Sequence, residues 1–330
     1  MPTFMRTQSI EHRIGASGRL AIRVTSSDTR IRAVDGETAR VRGTYQIGAA
    51  SEADADRIYQ ELQLRITASD GSLDVEEPKS LAGALGGALA RLFGGEGHPK
   101  LELDVELPPG ADLRFEGVSA DVQANGLRGQ QRYQTVSGDL LLQEAGGSLR
   151  IEGVSSDITI RADAPVALQT NAVSGDLSVM SPRLASLRAI SVSGDVELEG
   201  AFAADGDHRI ETVSGDVAIG LVGGATFDVR GLSTDVSCRL PNEMQGHGDQ
   251  RRVVVGDGAA RVRFSSMSGD LSIAGPRRMT ATSPTEAPPQ RDAQTAAGAS
   301  DQLEILRALE RGEIDVDEAT RRLTGANGGE

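Results

Sequence analysis

The chain has 330 residues, a formal net charge of −14, and few rings: six Phe, three Tyr and no Trp. Acidity on this scale opposes recognition of nucleic acid and docking on anionic lipid, both of which need clustered Lys and Arg. The single cysteine, Cys238, excludes an internal disulfide, and no window supplies the roughly 18 uncharged apolar residues of a membrane span.

Met1 to Ile14 carries no apolar run of signal-peptide length, so the sequence predicts a soluble, cytoplasmic protein. Residues 1–107 read as β-rich. Leu20, Ile22 and Val24 alternate with polar residues, and Ile31, Val34, Val41 and Tyr45 follow across turn signals at Ser26-Ser27-Asp28 and Asp35-Gly36. Ser51-Glu52-Ala53-Asp54 has the signature of a helix start and predicts a short helix through Leu62. Alternation resumes at Leu64, Ile66, Leu73 and Val75. Leu81, Leu85, Leu89, Leu92 and Phe93 then fall at helical spacing and predict a second short helix over 80–93. A cap over an open end is the plainer use for it; a peripheral membrane or partner contact through 81–93 stays open.

Residues 108–275 repeat one phrase: apolar, Ser, small, Asp, apolar. It is written Val118-Ser-Ala-Asp-Val122, Val136-Ser-Gly-Asp-Leu140, Val154-Ser-Ser-Asp-Ile158 and Val173-Ser-Gly-Asp-Leu177. Val192-Ser-Gly-Asp-Val196, Val213-Ser-Gly-Asp-Val217, Leu232-Ser-Thr-Asp-Val236 and Met267-Ser-Gly-Asp-Leu271 follow, at steps of 18, 18, 19, 19, 21, 19 and 35. Thr25-Ser26-Ser27-Asp28 is a worn copy. A fixed period of this size marks a solenoid, each coil stacking on its neighbours. After each Asp the first and third residues are apolar, as in Leu177/Val179 and Val217/Ile219, which predicts a strand with one face inward. Cys238 takes an inward position in this register. The expected fold is all-β: a single-chain parallel β-helix (β-solenoid) of 18–21-residue coils, spaced about 4.8 Å apart and roughly 40 Å long over eight coils. The step of 35 leaves room for either a degenerate extra coil or a protruding hairpin over 239–258.

The turn residues would stack into a ladder: Ser119 and Asp121, Ser137 and Asp139, Ser155 and Asp157, Ser174 and Asp176, Ser193 and Asp195, Ser214 and Asp216, Ser233 and Asp235, Ser268 and Asp270. One Asp and one Ser per turn are too few oxygens for Ca²⁺, so a structural corner is expected, with no metal and no cofactor. Glycoside chemistry needs two acids singled out at one place. Here the acids repeat from coil to coil, and no coil is expected to add its own Arg, Lys or His to single out a site. His12, His98, His208 and His247 have neither metal-ligand nor triad spacing, so no catalytic residue is assigned.

Residues 276–300, rich in Pro, Ala, Thr and Gln, predict a disordered linker. A helical hairpin is expected over 301–325, with Leu303, Leu306, Leu309, Ile314 and Leu323 as candidate partner-binding residues. Helices this short are unstable alone in water, so the hairpin must dock on something.

At the serial turns, and at Leu107-Pro108-Pro109-Gly110 before them, the chain resembles a bacterial β-strand-repeat family of unknown function catalogued as "putative adhesins". Leu306, Leu309, Gly312, Ile314, Glu318 and Ala319 resemble the short helical hairpin of SHOCT-like type. Together the two resemblances imply a non-catalytic interaction protein linked to bacterial envelope stress, acting through a protein partner or self-association. A self-assembling, bactofilin-like filament is the alternative from a structural class, and a carbohydrate-active β-helix the alternative from an enzymatic one.

Overall fold

The period-two alternation governs nearly every segment of the computed structural model, which describes residues 2–78 and 99–276 and is all-β with one helix among them. The predicted helix over 80–93, the linker and the 301–325 hairpin lie outside the described residues. The first half supplies β1 (Thr3–Arg13), β2 (Arg19–Val24), β3 (Asp28–Ala33), β4 (Thr38–Gly48), α1 (Glu52–Leu62), β5 (Arg65–Ser69), β6 (Ser72–Glu76) and β7 (Lys100–Leu107). Ser51 caps α1, its hydroxyl accepting from the Asp54 amide at 3.2 Å. Tyr59 of α1 meets Tyr45 of β4 edge to face, centroids 5.1 Å apart. Its hydroxyl donates to the Thr7 carbonyl at 3.1 Å, which lays the helix over β1 and β4.

The repeats then follow as β8 (Asp112–Ser119), β9 (Val122–Asn125), β10 (Gln130–Ser137), β11 (Leu140–Ser155), β12 (Ile158–Ser174), β13 (Leu177–Ser193) and β14 (Val196–Phe202). β15 (His208–Ser214), β16 (Val217–Leu221), β17 (Ala225–Ser233), β18 (Val236–Cys238), β19 (Asn242–His247), β20 (Gln250–Val255), β21 (Ala260–Ser268) and β22 (Leu271–Ala274) complete a mixed 22-stranded sheet. The interior pairings are parallel and in register with the repeat. Before the turn, Phe115, Tyr133 and Ile151 are side by side; after it, Val122, Leu140, Ile158, Leu177, Val196 and Val217 are.

Two pairing chains run through the sheet, one on each side of the turns, and both depart from chain order at the ends. At the C-terminal end β21 lies between β15 and β17, and β22 between β16 and β18, so the eighth turn sits inside the seventh. At the N-terminal end β2 lies between β6 and β8, and β3 between β7 and β9. Strand pairing between successive phrases therefore follows chain order in the middle and departs from it at both ends. The segment 239–258 is a hairpin: β19 and β20 pair antiparallel, and β20 pairs antiparallel with β17. Antiparallel strands close the other end as well, with β4 between β1 and β7 and β5 against β6. The outermost strands among the described residues, β1, β5, β18 and β19, each pair on one side, so each keeps a row of edge N–H and C=O groups.

The core is built from rows of one residue per paired strand. One row runs Leu20, Leu113, Gln131, Leu149, Leu168, Leu187, His208, Val262, Phe227, each beside the next. Its two polar members have partners. Gln131 donates to the Leu127 and Gly146 carbonyls at 3.2 Å each and accepts from the Tyr133 hydroxyl at 3.0 Å. His208 Nε2 is 2.9 Å from the Ala203 carbonyl, and its ring meets Phe202 edge to face. Burial pushes the His208 pKa below its ordinary 6.5, against the pull of the Ala203 carbonyl, Asp207 and Asp205. Leu127, Val166, Leu184 and Phe202 are buried too. Cys238 is only half-buried, because among the described residues β18 is the last strand on its side and is covered by β22 alone.

Candidate functional site

The turn edge owes its form to close backbone approach. A Cβ on Gly138, Gly175, Gly194, Gly215 or Gly269 would meet the carbonyl oxygen of the neighbouring coil at 2.5 Å or less. The first four of these glycines also hold positive φ, between 108° and 148°. Where the third position is Ala120 or Ser156, the side chain is buried instead. All eight serines are in register from coil to coil. The Ser119 and Ser137 hydroxyls are 3.1 Å apart.

Each Asp that follows a glycine donates its backbone N–H to the carboxylate of the Asp beside it. Asp139 donates to Asp121, Asp176 to Asp157, Asp195 to Asp176, Asp216 to Asp195 and Asp270 to Asp216, all at 2.9 Å. Asp235 donates to Asp270 at the same distance. The Asp carbonyls accept in turn from the apolar residue of the adjacent coil, as Leu177 N–H to Asp195 O at 2.9 Å. A hydrogen bond to a charged acceptor contributes about 1.5–3 kcal/mol, whereas two carboxylates ~4.8 Å apart in water repel by about 0.9 kcal/mol. Backbone capping wins, so the ladder holds the corner. At the N-terminal end Glu77 takes over the task. Its buried carboxylate accepts from the Thr25 amide at 2.6 Å and the Ser27 hydroxyl at 2.9 Å. Among the described residues no three His, Cys, Asp or Glu side chains are grouped as a metal site.

Beside the ladder, the first residue of the phrase is buried at Val154 and half-buried at Val118, Val136, Val173 and Val192. Exposure grows toward the C-terminal end: 37% for Val213, 56% for Met267 and 72% for Leu232. These three follow one another in space, since Ser214, Ser268 and Ser233 pair in that order.

The strand before the turn carries a second row, which corrects the expectation that no coil adds its own basic residue. Arg114, Arg132 and Arg150 stand side by side, then Gln169, Arg188, Arg209 and Arg263, and the row ends on Asp228 and Arg252. Each repeat arginine lies four positions before the first residue of its phrase, a period visible in the sequence once the strand is inspected with the turn. Acids hold the early part: two residues on, Glu116 takes Arg114 at 2.5 Å and Glu152 takes Arg150 at 2.8 Å, and Arg132 reaches across to the same Glu152 at 3.1 Å. Burial works to raise the Glu152 carboxyl, and hydrogen bonds from Arg150 and Gln134 with the charge of Arg132 outweigh it, leaving its pKa low.

Toward the C-terminal end the acids thin out. Between the outer face of β15, β21, β17 and β20 and the β19–β20 hairpin lies an open groove of about 490 Å³. Its lining includes Arg209, Arg230, Arg251, Arg252, Arg261 and Arg263, with Glu211 and Asp228 as its carboxylates. Arg252 and Arg261 grip opposite oxygens of Asp228 at 2.8 and 2.6 Å. Partial burial pushes Asp228 up, and these two guanidinium groups bring its pKa below the usual carboxylate range. Arg209 pairs with Glu211, and Arg263 with Asp207 on the rim. Leu303, Leu306, Leu309, Ile314 and Leu323 lie outside the described residues and are not placed against either row.

No family model matches this chain, and no curated protein matches it. Among solved structures it is similar to a "putative cell adhesion protein" from Clostridium sporogenes, at 10% identity and TM-score 0.28, covering 81% of this chain and 99% of that one. It is similar also to a "putative adhesin" from Bacteroides fragilis, at 13% identity and TM-score 0.30, covering 82% and 97%. A "putative lipid binding protein" from Parabacteroides distasonis matches at 11% and 0.31, covering 81% and 96%. Likeness at this level transfers no residue role.

Proposed function

We infer that the chain is a non-catalytic scaffold, a parallel β-solenoid of 18–21-residue coils that presents a long face to a protein or envelope component. The observation that carries this reading is the constancy of register along the interior: each coil adds a Ser and an Asp at the turn, and most add an arginine four residues upstream. Catalysis gathers unlike groups at one point, whereas a row of like groups suits an extended partner touched many times. In this reading the 301–325 segment recruits the partner through Leu303, Leu306, Leu309, Ile314 and Leu323.

The ends bear on the filament alternative. End-to-end stacking of parallel coils needs parallel edges; among the described residues antiparallel β1, β5 and β19 stand at three of the four edges, and β18 alone is a parallel one. Recovery of partners from the native host, with the full chain and with one ending at Pro276, tests the proposal. A partner retained only by the full chain is expected, with sedimentation independent of concentration. Equal recovery by both chains removes the hairpin from the reading, and concentration-dependent growth restores the filament.

A further inference from the structure

We propose that the arginine groove at the C-terminal end of the strand face binds a ligand carrying two phosphate groups. This does not depend on the scaffold reading. The groove holds six arginines against two carboxylates, a local surplus of four positive charges in a chain of net −14. Counting Asp207, which pairs with Arg263 from the rim, the surplus is three. Like charges packed together in an otherwise acidic protein oppose folding, so their concentration here calls for a compensating ligand.

The frame is set before a ligand arrives. Asp228 fixes Arg252 and Arg261, Glu211 fixes Arg209, and Asp207 fixes Arg263. Arg230 is exposed and has no ion-pair partner among the described residues, and Arg251 donates only to the Gly248 carbonyl, at 3.3 Å. Donors therefore approach from several strands and from the hairpin. A planar carboxylate accepts in its own plane and neutralises one charge, whereas a phosphate offers three oxygens in a tripod and carries about −1.5 to −2. Two phosphates bring about −3 to −4, which matches the surplus. The volume of about 490 Å³ is ample for a diphosphate with a small organic group. The aromatic residue in the lining, Phe264, is 1% exposed and lies beneath the floor, so the site offers no ring for a nucleobase to stack on.

Inorganic pyrophosphate is the probe, titrated into the full chain by calorimetry. Saturable one-to-one binding is expected, weakened at least tenfold in Arg230→Glu at an unchanged melting temperature. Arg19→Glu, in the separate groove lined by Arg19, Arg65 and Arg114 at the other end of the same face, is expected to bind as the parent does. Pull-down on phosphatidylcholine vesicles carrying a lipid diphosphate separates the sources. Sedimentation that Arg230→Glu abolishes assigns a headgroup, and pyrophosphate binding without sedimentation assigns a soluble diphosphate. No saturable binding of pyrophosphate, equal loss in Arg19→Glu, or tighter binding of poly-glutamate than of pyrophosphate overturns the proposal.

Discussion

The backbone amide of Asp235 donates to the carboxylate of Asp270, 35 positions later, at 2.9 Å, and the amide of Asp270 donates to Asp216, 54 positions earlier. The last turn has entered between two that precede it. In a chain ending at Gly258, β17 loses its parallel neighbour β21, and β18 loses β22, its described neighbour. Antiparallel β20 still covers residues 225–230, so amide exchange should then show residues 231–238 unprotected, while β12 and β13 stay as protected as in a chain ending at Pro276. Persistent protection at 231–238 would mean that the seventh phrase docks on the sixth unaided.

Gly194→Ala should be among the most damaging small substitutions in the molecule. Its Cβ would lie 2.2 Å from the Gly175 carbonyl oxygen, and its φ of 126° is unfavourable for alanine. Backbone strain alone costs about 1–3 kcal/mol, and the clash adds to it. Ala120→Gly, at the equivalent place in a turn that buries its side chain, should cost only about 1 kcal/mol. Urea unfolding of the two variants checks the ordering.

Asp195→Asn keeps an oxygen for the Asp216 amide and relieves repulsion from Asp176 and Asp216, so its stability should stay within about 1 kcal/mol of the parent. Asp195→Ala removes the acceptor and should cost about 1–3 kcal/mol. A chelator should leave the melting temperature of all three proteins where it was. A large chelator-induced fall would mean that the ladder holds a cation.

His208 makes stability depend on pH near neutrality. Its folded-state pKa is depressed, so the unfolded chain binds the proton more readily and stability rises with pH across the interval. The contribution is complete above about 6.5, the unfolded value, and is lost as pH falls through the lower folded value. His208→Gln, which retains a donor for the Ala203 carbonyl, should flatten the dependence of melting temperature on pH below 6.5. An unchanged profile would assign the dependence to other groups.

Val196 is 2% exposed and in register with Leu177 and Val217. Val196→Asp buries an unpaired carboxylate and should cost several kcal/mol. Ser178→Ala, one residue out of phase on β13 and half-buried, should stay within about 0.5 kcal/mol. Matching melting curves for the two would reverse the inward face.

The turns and their inward neighbours were legible because period and alternation are local. Val196 and Ile219 are buried where the phrase puts them. The order of coils at the C-terminal end was not legible: Val236 and Leu271 are equally suitable neighbours for Val217, and both follow a Ser-x-Asp turn. What decides is the β19–β20 hairpin, which reverses the chain and lets β21 return beside β15. The arginine row is inconspicuous in the sequence for a different reason. Its members occur singly, four residues upstream of a more conspicuous phrase, and only pairing gathers them.

Placing a segment out of chain order at both ends has a consequence for how such a chain can change length by duplication. A copied coil appended beyond Leu271 would find its stacking surface already taken by Val236. Copies of 18 or 19 residues taken between Val118 and Val192, where each step leads to the next coil in space, can be spliced in without disturbing either terminus. Homologues of different lengths should therefore differ by whole phrases in that interval and keep their two ends the same.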